Sequence, residues 1–333
     1  MNVTRWGILG AAKIAKDHVI PAMLKSKSTK LLAIASKDKN KAYAFQNEFG
    51  IEYIYHDYES LISHPNIDAV YIPLPNHLHV PLSIRLVEAG KHVLCEKPIS
   101  IKSSELIKLI EAQRKTRKIV AEAFMVRFHK QWLKTKEIIN QGEIGKLNSI
   151  QGSFCYFNMD PKNIRNDSKI GGGGLLDIGV YPIVTSRFIS DKEPKRVVSL
   201  MQYDPLFKTD VLTSALLDFG DFHMSFTCST QSHLMQHMRF IGSLGRMELP
   251  VPFNPIADKR SKINLWQNTS HPSQEPKVIE LEAEDQYKVQ IEMMNEKIQN
   301  GLPFKFSLED SYKNMQVLDK IVLSSKSGMW EEI

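Results

Sequence analysis

Over its first 120 residues the chain alternates short apolar runs with amphipathic stretches, and this alternation constrains its fold more than any other feature. The apolar runs cover 6–9, 31–35, 53–55, 69–72, 92–95 and 119–121. Between them lie helix-like stretches at 14–24, 41–49, 78–89 and 104–114, with Gly50 and Gly90 where helix C-caps are expected. Strand–helix alternation at this spacing predicts a parallel sheet covered by helices on both faces. After residue 122 the period changes. One helix is expected over 130–140, stopped by Gly142, and then longer strands of period two take over. Ile150, Gly152, Phe154 and Tyr156 share one face of the first of these strands. Residues 211–230 alternate on both sides of Gly220–Asp221, which predicts a two-residue hairpin turn, and a second hairpin is expected at "GSLG", 242–245. The polar stretch 254–285 is expected as a surface excursion. An amphipathic stripe of Tyr312, Met315, Leu318 and Val322 marks a final helix, with Gly328 as its stop.

The expected fold class is therefore α/β: an N-terminal doubly wound parallel sheet of the Rossmann type, and a C-terminal α/β domain with a large, open, mainly antiparallel sheet. A length of 333 residues suits two such domains, here bounded at 1–122 and 123–307. No apolar run reaches the ~20 residues of a membrane span, and the apolar core of "WGILGAAKIAK" is short and broken by Lys13, unlike a signal peptide. The three cysteines, Cys95, Cys155 and Cys228, are scattered and odd in number. That pattern speaks against a disulfide framework and for a reducing, cytoplasmic location. The net charge of +6 comes without a dense Arg/Lys block, so an anionic small molecule accounts for it better than nucleic acid. No residues with metal-ligand spacing stand out.

"WGILGAAKIA" reads as a strand, a glycine turn and a helix start. Its pattern is Gly10-x-Ala12-x-x-Ala15, with Lys13 and Ile14 opening the helix. In a dinucleotide fold the first position makes the tight turn, the second lets the backbone approach the pyrophosphate, and the phosphates sit at the helix N-terminus. Ala at two of the three positions leaves an ordinary βα turn open; placement on the first strand of the series favours the nucleotide. At the end of the second strand an NAD site wants a carboxylate for the ribose 2′-OH. Here stand Ser36 and Lys37, and residues 25–41 hold six lysines against one acid, Asp38. A hydroxyl and an ammonium suit a 2′-phosphate, so NADP is expected in preference to NAD. A small shift of the turn would bring Asp38 to the ribose instead.

Two motifs end later strands: "IPLPNHLH" at 72–79, with Pro73, Asn76 and His79, and "CEKP" at 95–98, with Glu96, Lys97 and Pro98. Both fall at the carboxyl edge of the sheet, where ligands bind in such folds. Pro98 restricts its neighbour and is a candidate for a cis bond, which would fix the direction of Lys97. The third motif is "GGGGLLDIGVYPI", 171–183. If a helix begins near Gly174, Asp177 and Tyr181 stand at i and i+4 on one face. The glycines would permit a close backbone approach, and residues 171–174 are expected to form a floor under a nicotinamide ring or a sugar. A loop followed by a core helix, with Asp177 as a dipole partner, is the plainer alternative.

Taken together, "GILGAAKIA", "PNHLH", "CEKP", "RFHKQW" (127–132), "GEIGKL" (142–147) and the glycine run resemble the Gfo/Idh/MocA oxidoreductase family over nearly the whole length. "DPKNIRND" (160–167) and Tyr181 make the chain similar to the branch of dimeric dihydrodiol dehydrogenase, NADP-dependent D-xylose dehydrogenase and glucose–fructose oxidoreductase; many other branches carry a His in place of Tyr181. The resemblance implies a last helix, 309–325, packed back on the nucleotide domain, and an open sheet that joins a homodimer or higher homo-oligomer. It matches Lys97, Asp177 and Tyr181 to catalytic positions and sets Asn76 and His79 near the nicotinamide. Arg127 and Arg165 match basic positions bordering the cleft, with Arg127 on the cofactor side and Arg165 on the substrate side. The implied reaction is hydride transfer between a sugar-like hydroxyl and NADP. A free tyrosine has a pKa near ~10; a neighbouring ammonium favours its phenolate, so Tyr181 would act as base with Lys97 on the alkoxide and Asp177 orienting the substrate or the lysine. Such acid–base help is worth about 10²–10⁴ in rate. A dihydrodiol or anhydro/keto-sugar reductase with the same residues, a non-catalytic NADP-binding regulator, and transient oxidation during glycoside cleavage are the alternatives.

Overall fold

The structure, a computed structural model, describes residues 3–268 and 271–333. The chain divides into two compact units, Met1–Met125 with Gln286–Lys313, and Val126–Asp285 with Asn314–Ile333. Among the described residues no helix is long and apolar enough to cross a membrane.

The first unit holds six strands: β1 (Thr4–Leu9), β2 (Thr29–Ala35), β3 (Tyr53–Tyr55), β4 (Ala69–Ile72), β5 (His92–Cys95) and β6 (Val120–Glu122). They form one parallel sheet in the order β3-β2-β1-β4-β5-β6, the doubly wound dinucleotide order. Between them run α1 (Ile20–Lys25), α2 (Lys39–Phe49), α3 (Tyr58–Ile62), α4 (His79–Glu88) and α5 (Ser103–Thr116). A π-helical turn, Ala15–Val19, leads into α1. The central strands are mostly apolar because both sheet faces are covered: Trp6, Ile8, Ile34, Tyr71 and Leu94 share one core.

That core is completed by a helix that sequence patterning passed over, α8 (Gln286–Asn300), which contributes Ile291 and Met294. Asn295 on α8 accepts from Trp6 Nε1 at 2.9 Å and donates to Thr29 Oγ1 at 2.7 Å, so the segment is bonded as well as packed to β1 and β2. The last helix, α9 (Leu308–Ser327), is divided between the units: up to Lys313 it lies with the first, where Glu309 accepts from Arg114 at 2.9 Å, and beyond Lys313 with the second. There the Ser199 hydroxyl donates to the Ile321 carbonyl at 2.6 Å, and its amide donates to Ser324 Oγ at 3.1 Å. Met315 and Leu318 of the expected stripe are buried, Tyr312 and Val322 are half-buried, and Ile321 is buried beside them.

The second unit contains α6 (Lys130–Asn140), β7 (Leu147–Phe157), α7 (Val180–Ser190) and a sheet completed by β8 (Arg196–Tyr203), β9 (Asp210–Asp218), β10 (His223–Ser229), β11 (Gln231–Gly242), β12 (Gly245–Leu249), β13 (Ser261–Gln267), β14 (Lys277–Leu281) and β15 (Glu331–Glu332). Its order is β14-β13-β12-β11-β7-β10-β9-β8-β15. The β7–β10 pair is parallel and the remaining pairings are antiparallel. One expectation holds and one changes. The β9–β10 connection turns at Gly220–Asp221 as expected: Phe219 N donates to the Phe222 carbonyl across those two residues, and the two rings stack at 4.5 Å. The expected surface excursion carries β13 and β14, two strands that extend the sheet to its edge.

Candidate active site

Within the first unit, Gly10 turns the chain out of β1 with φ +113°. A Cβ there would stand 2.6 Å from Leu74 Cδ2, so the turn requires glycine. The Ala12 carbonyl accepts from the Lys16 amide at 3.1 Å. The amides at the very start of the helix are therefore not used by it. Ala12 and Ile14 are half-buried; Lys13 is exposed and pairs with Asp17. At the end of β2, Ser36 is buried and Lys37 exposed, the latter 5.4 Å from the Tyr58 ring centroid. Asp38, the alternative ribose ligand, is the N-cap of α2: its Oδ1 accepts from the Lys41 amide at 3.1 Å.

The loop around Lys97 is held at every step. Glu96 accepts from Tyr71 Oη at 2.5 Å and from the Lys97 amide at 3.3 Å. The Lys97–Pro98 peptide is cis. The Pro98 carbonyl lies 2.8 Å from His79 Nδ1, and the next amide, Ile99, donates to buried Glu122 at 2.9 Å. The second nitrogen of His79 lies 2.6 Å from the Leu74 carbonyl. His79 thus joins the loop after β4 to the loop after β5. It has no exposed surface, and the ring braces the loops that carry Asn76 and Lys97. Pro73 and Pro98 are buried beside it, and Asn76, Glu96 and Lys97 are half-buried.

The second unit gathers the other group. Asp177 lies in a π-helical turn, Leu175–Gly179, that leads into α7 and so to Tyr181. Its Oδ2 accepts from Arg165 Nε at 2.7 Å and from Tyr156 Oη at 2.6 Å. Burial, reinforced by the Asp177 charge, pushes the Tyr156 phenol far above its ordinary range, so it stays a donor. The Arg165 guanidinium is raised chiefly by the charge of Asp177. The Tyr181 ring is buried between Phe154 and Phe253, with centroids at 5.6 and 5.4 Å. Arg127, in the short turn after β6, is 3% exposed. Tyr156 was not among the expected site residues; strand alternation had put it on a face with Phe154 and hid its polar end.

The glycine run has a different role from the expected floor. Residues 171, 173 and 174 are buried. Gly172 and Gly173 amides donate to the carbonyls of Asp167 and Arg165, each at 2.9 Å. A Cβ on Gly172 would stand 2.6 Å from the Arg165 oxygen, and one on Gly173, where φ is +127°, would overlap the Asp210 carboxylate. The glycines let three backbone segments close on one another, and that closure brings Arg165 to Asp177.

Against known proteins, the model of the GFO/IDH/MocA oxidoreductase family, with its NAD-binding Rossmann fold, matches residues 4–124. The GFO/IDH/MocA C-terminal domain matches residues 132–248. An uncharacterised oxidoreductase of Rhizobium meliloti is 42% identical over 100% of both chains. The dTDP-3,4-didehydro-2,6-dideoxy-alpha-D-glucose 3-reductase of Streptomyces violaceoruber is 31% identical over 80% of this chain and 78% of its own. A crystal structure of a 3-ketoreductase from Actinomadura kijaniata, in complex with NADP and TDP-benzene, is similar with a TM-score of 0.91 and 28% identity, covering 97% of this chain and 98% of that one. The same reductase has been solved with a tyrosine replaced by phenylalanine and with a lysine replaced by alanine or glutamate.

Proposed function

This chain belongs to the GFO/IDH/MocA oxidoreductase family, and from that premise we propose that it moves a hydride between NADP and a CH–OH or carbonyl carbon of a sugar-like substrate, with Lys97 and Tyr181 handling the proton. The observation that carries this reading is the fixation of Lys97 at the carboxyl edge of a dinucleotide-ordered sheet, where Tyr71, His79 and Glu122 leave its loop one geometry. The lysine and the tyrosine replaced in the A. kijaniata reductase are separated by the same number of residues as Lys97 and Tyr181, which supports the pairing.

The residues present fit NADP. Gly10 and the unused amides after it suit a pyrophosphate. Ser36 and Lys37 suit a 2′-phosphate, and the capping duty of Asp38 removes the competing carboxylate. When bound, NADP supplies or accepts the hydride. Tyr181 takes the substrate hydroxyl proton on oxidation or returns it on reduction. Lys97 donates a hydrogen bond to the substrate oxygen, and Asp177, held by Tyr156 and Arg165, orients the substrate. Reduction of a keto-sugar by the same residues is a second reading, supported by the two relatives named for 3-keto reduction.

The three buried free thiols support a reducing, cytoplasmic setting. The exposed apolar side chains Leu200 and Leu216 on the second sheet support a homo-oligomer formed through that sheet.

The test is absorbance at the NADPH band with the purified chain. NADP⁺ and NAD⁺ are each offered with aldoses, polyols and dihydrodiols, and NADPH with keto-sugars and their nucleotide-linked forms. Turnover with NADP, lost by at least about 10²-fold in Tyr181→Phe, is expected. A Tyr181→Phe protein with undiminished turnover would remove Tyr181 from the proton step. Tight NADP binding with no turnover on either panel would point to the non-catalytic regulator.

A further inference from the structure

Asp210, the first residue of β9, is a buried carboxylate that the proposed reaction does not use. It is 7% exposed. Its Oδ2 accepts from the Leu175 amide at 2.6 Å and from Thr213 Oγ1 at 3.3 Å. Leu175 is the first residue of the π-helical turn that contains Asp177, and the Asp177 amide in turn donates to the Gly173 carbonyl at 3.1 Å. Gly173 and Gly174 lie directly against the carboxylate: a Cβ on Gly173 would overlap Oδ1, and one on Gly174 would stand 3.4 Å from Oδ2. A run of glycines, a π-helical turn and a buried acid therefore converge on the start of the helix that carries Asp177 and Tyr181. π-helical turns recur at functional sites because they aim side chains that a regular helix would not.

We propose that Asp210 is a positioning residue for Asp177 and Tyr181: its carboxylate anchors the π-helical turn, and protonation releases it. This rests on the hydride-transfer reading for its effect on turnover.

The charged and titratable neighbours are few. Tyr203 on β8 and Cys228 on β10 are both raised, first by burial and then by the Asp210 charge. On the loop, Arg165 turns its guanidinium to Asp177 and Asp167 accepts from the Lys169 amide. On the π-helical turn, Asp177 is engaged with Tyr156 and Arg165. The donors toward Asp210 are backbone amides and a hydroxyl. Burial outweighs them and pushes its acid up to about 6. A folded-state value above the unfolded one means that the contribution to stability is complete at low pH and is lost as pH rises through about 6. At pH 7.5 the ionised Asp210 therefore costs stability, and Asp210→Asn should leave Tm unchanged or raised. A purely structural acid would show the opposite.

The experiment uses the full chain labelled with ¹⁵N at leucine and aspartate, followed by NMR from pH 5 to 8 beside steady-state kinetics. The Leu175 and Asp177 amides are expected to titrate together with a midpoint near 6, and kcat to show an acid limb at the same pH. Asp210→Asn should abolish both and lower kcat by about 10–100-fold with NADP affinity unchanged. Thr213→Val, which removes one donor to the ionised acid, should move the midpoint and the limb upward together. A Leu175 amide that does not titrate near 6, or an Asp177 amide that fails to follow it, overturns the proposal whatever the activity. So does an Asp210→Asn protein that keeps the wild-type kcat and acid limb. Amides that titrate together in a chain inactive on every substrate would sink the hydride-transfer reading and uphold the hold of Asp210 on Asp177.

Discussion

The phenol of Tyr156 donates to Asp177 Oδ2 over 2.6 Å, so the central strand of the nine-stranded sheet grips the acid four residues ahead of Tyr181. Arg165 reaches the same oxygen from the preceding loop at 2.7 Å. With two donors on one oxygen, Asp177 is held as an acceptor, and its direction depends on both partners. Tyr156→Phe keeps the ring and removes one donor. A hydrogen bond to a charged group contributes roughly 1.5–3 kcal/mol, which is at least about tenfold in rate if the full effect reaches the transition state. The expected outcome is a fall of about tenfold or more in kcat/KM, with the affinity for NADP unchanged. Kinetics and nucleotide titration on the same preparation check it. A variant with wild-type kcat/KM would show that Arg165 alone suffices.

His79 allows a test in which stability and rate move differently. Its two carbonyl partners favour a charged ring, but burial opposes them more strongly and, with Lys97 and His77 nearby, pushes the imidazole down to about 4. The unfolded chain therefore takes up a proton near pH 6.5 that the folded one refuses until about 4. Stability contributed by His79 is complete above the unfolded value and is lost as pH falls through that window, by about 3 kcal/mol in total at the usual cost per pKa unit. His92, also pushed down to about 4 by burial, acts in the same direction. His79→Gln should flatten the fall of Tm between pH 6.5 and 4 without abolishing it. At pH 7.5 it should lower kcat more than it raises the KM for NADP, because the loop that loosens is the one bearing Lys97. An unaltered Tm–pH slope would count against a neutral buried ring, and an unaltered kcat against the brace.

Much of this was legible in the residues. The runs 69–72 and 92–95 are strands to the residue because strands buried on both faces are continuously apolar, and 53–55 is the edge strand of the same sheet. The helix 130–140 and the hairpin at 242–245 follow their patterns as well. Helix α8 escaped notice because its buried stripe, Ile291 and Met294, is thin and sits in a polar neighbourhood. Strands β13 and β14 escaped for a different reason: edge strands carry charge, and here Arg260, Lys262 and Glu280 pair across them. In the site, the motif residues were legible and their supports were not. Tyr156 and Asp210 reach the π-helical turn from 21 and 35 residues away in the chain, and nothing local marks either. His79 was visible as part of a motif, but its hold on the two loops shows only in the geometry.

The choice of cofactor comes down to the end of β2. Ser36 is buried there and its hydroxyl accepts from the Asp38 amide at 3.2 Å, while Lys37 stands exposed beside the Tyr58 ring. Asp38 is committed to the first turn of α2. With NADP bound as proposed, the 2′-phosphate meets a hydroxyl and an ammonium. Ser36→Asp would set a carboxylate against that phosphate, and like charges about 4 Å apart cost roughly 1–4 kcal/mol between aqueous and surface dielectric conditions. Each 1.4 kcal/mol is about tenfold in binding, so the Kd for NADP should rise by about tenfold or more. NAD, which lacks the phosphate, should lose nothing and gain an acceptor for its ribose hydroxyl. Lys37→Ala should weaken NADP alone, by less than the aspartate does, and the loss should shrink as salt is raised because the ammonium is solvent-exposed. Titration of both nucleotides against the wild type and the two variants at low and high salt decides the matter. Equal losses for NAD and NADP in Ser36→Asp would mean that the 2′-phosphate is read elsewhere, and that the lysine-rich stretch 25–41 is only a solvated face.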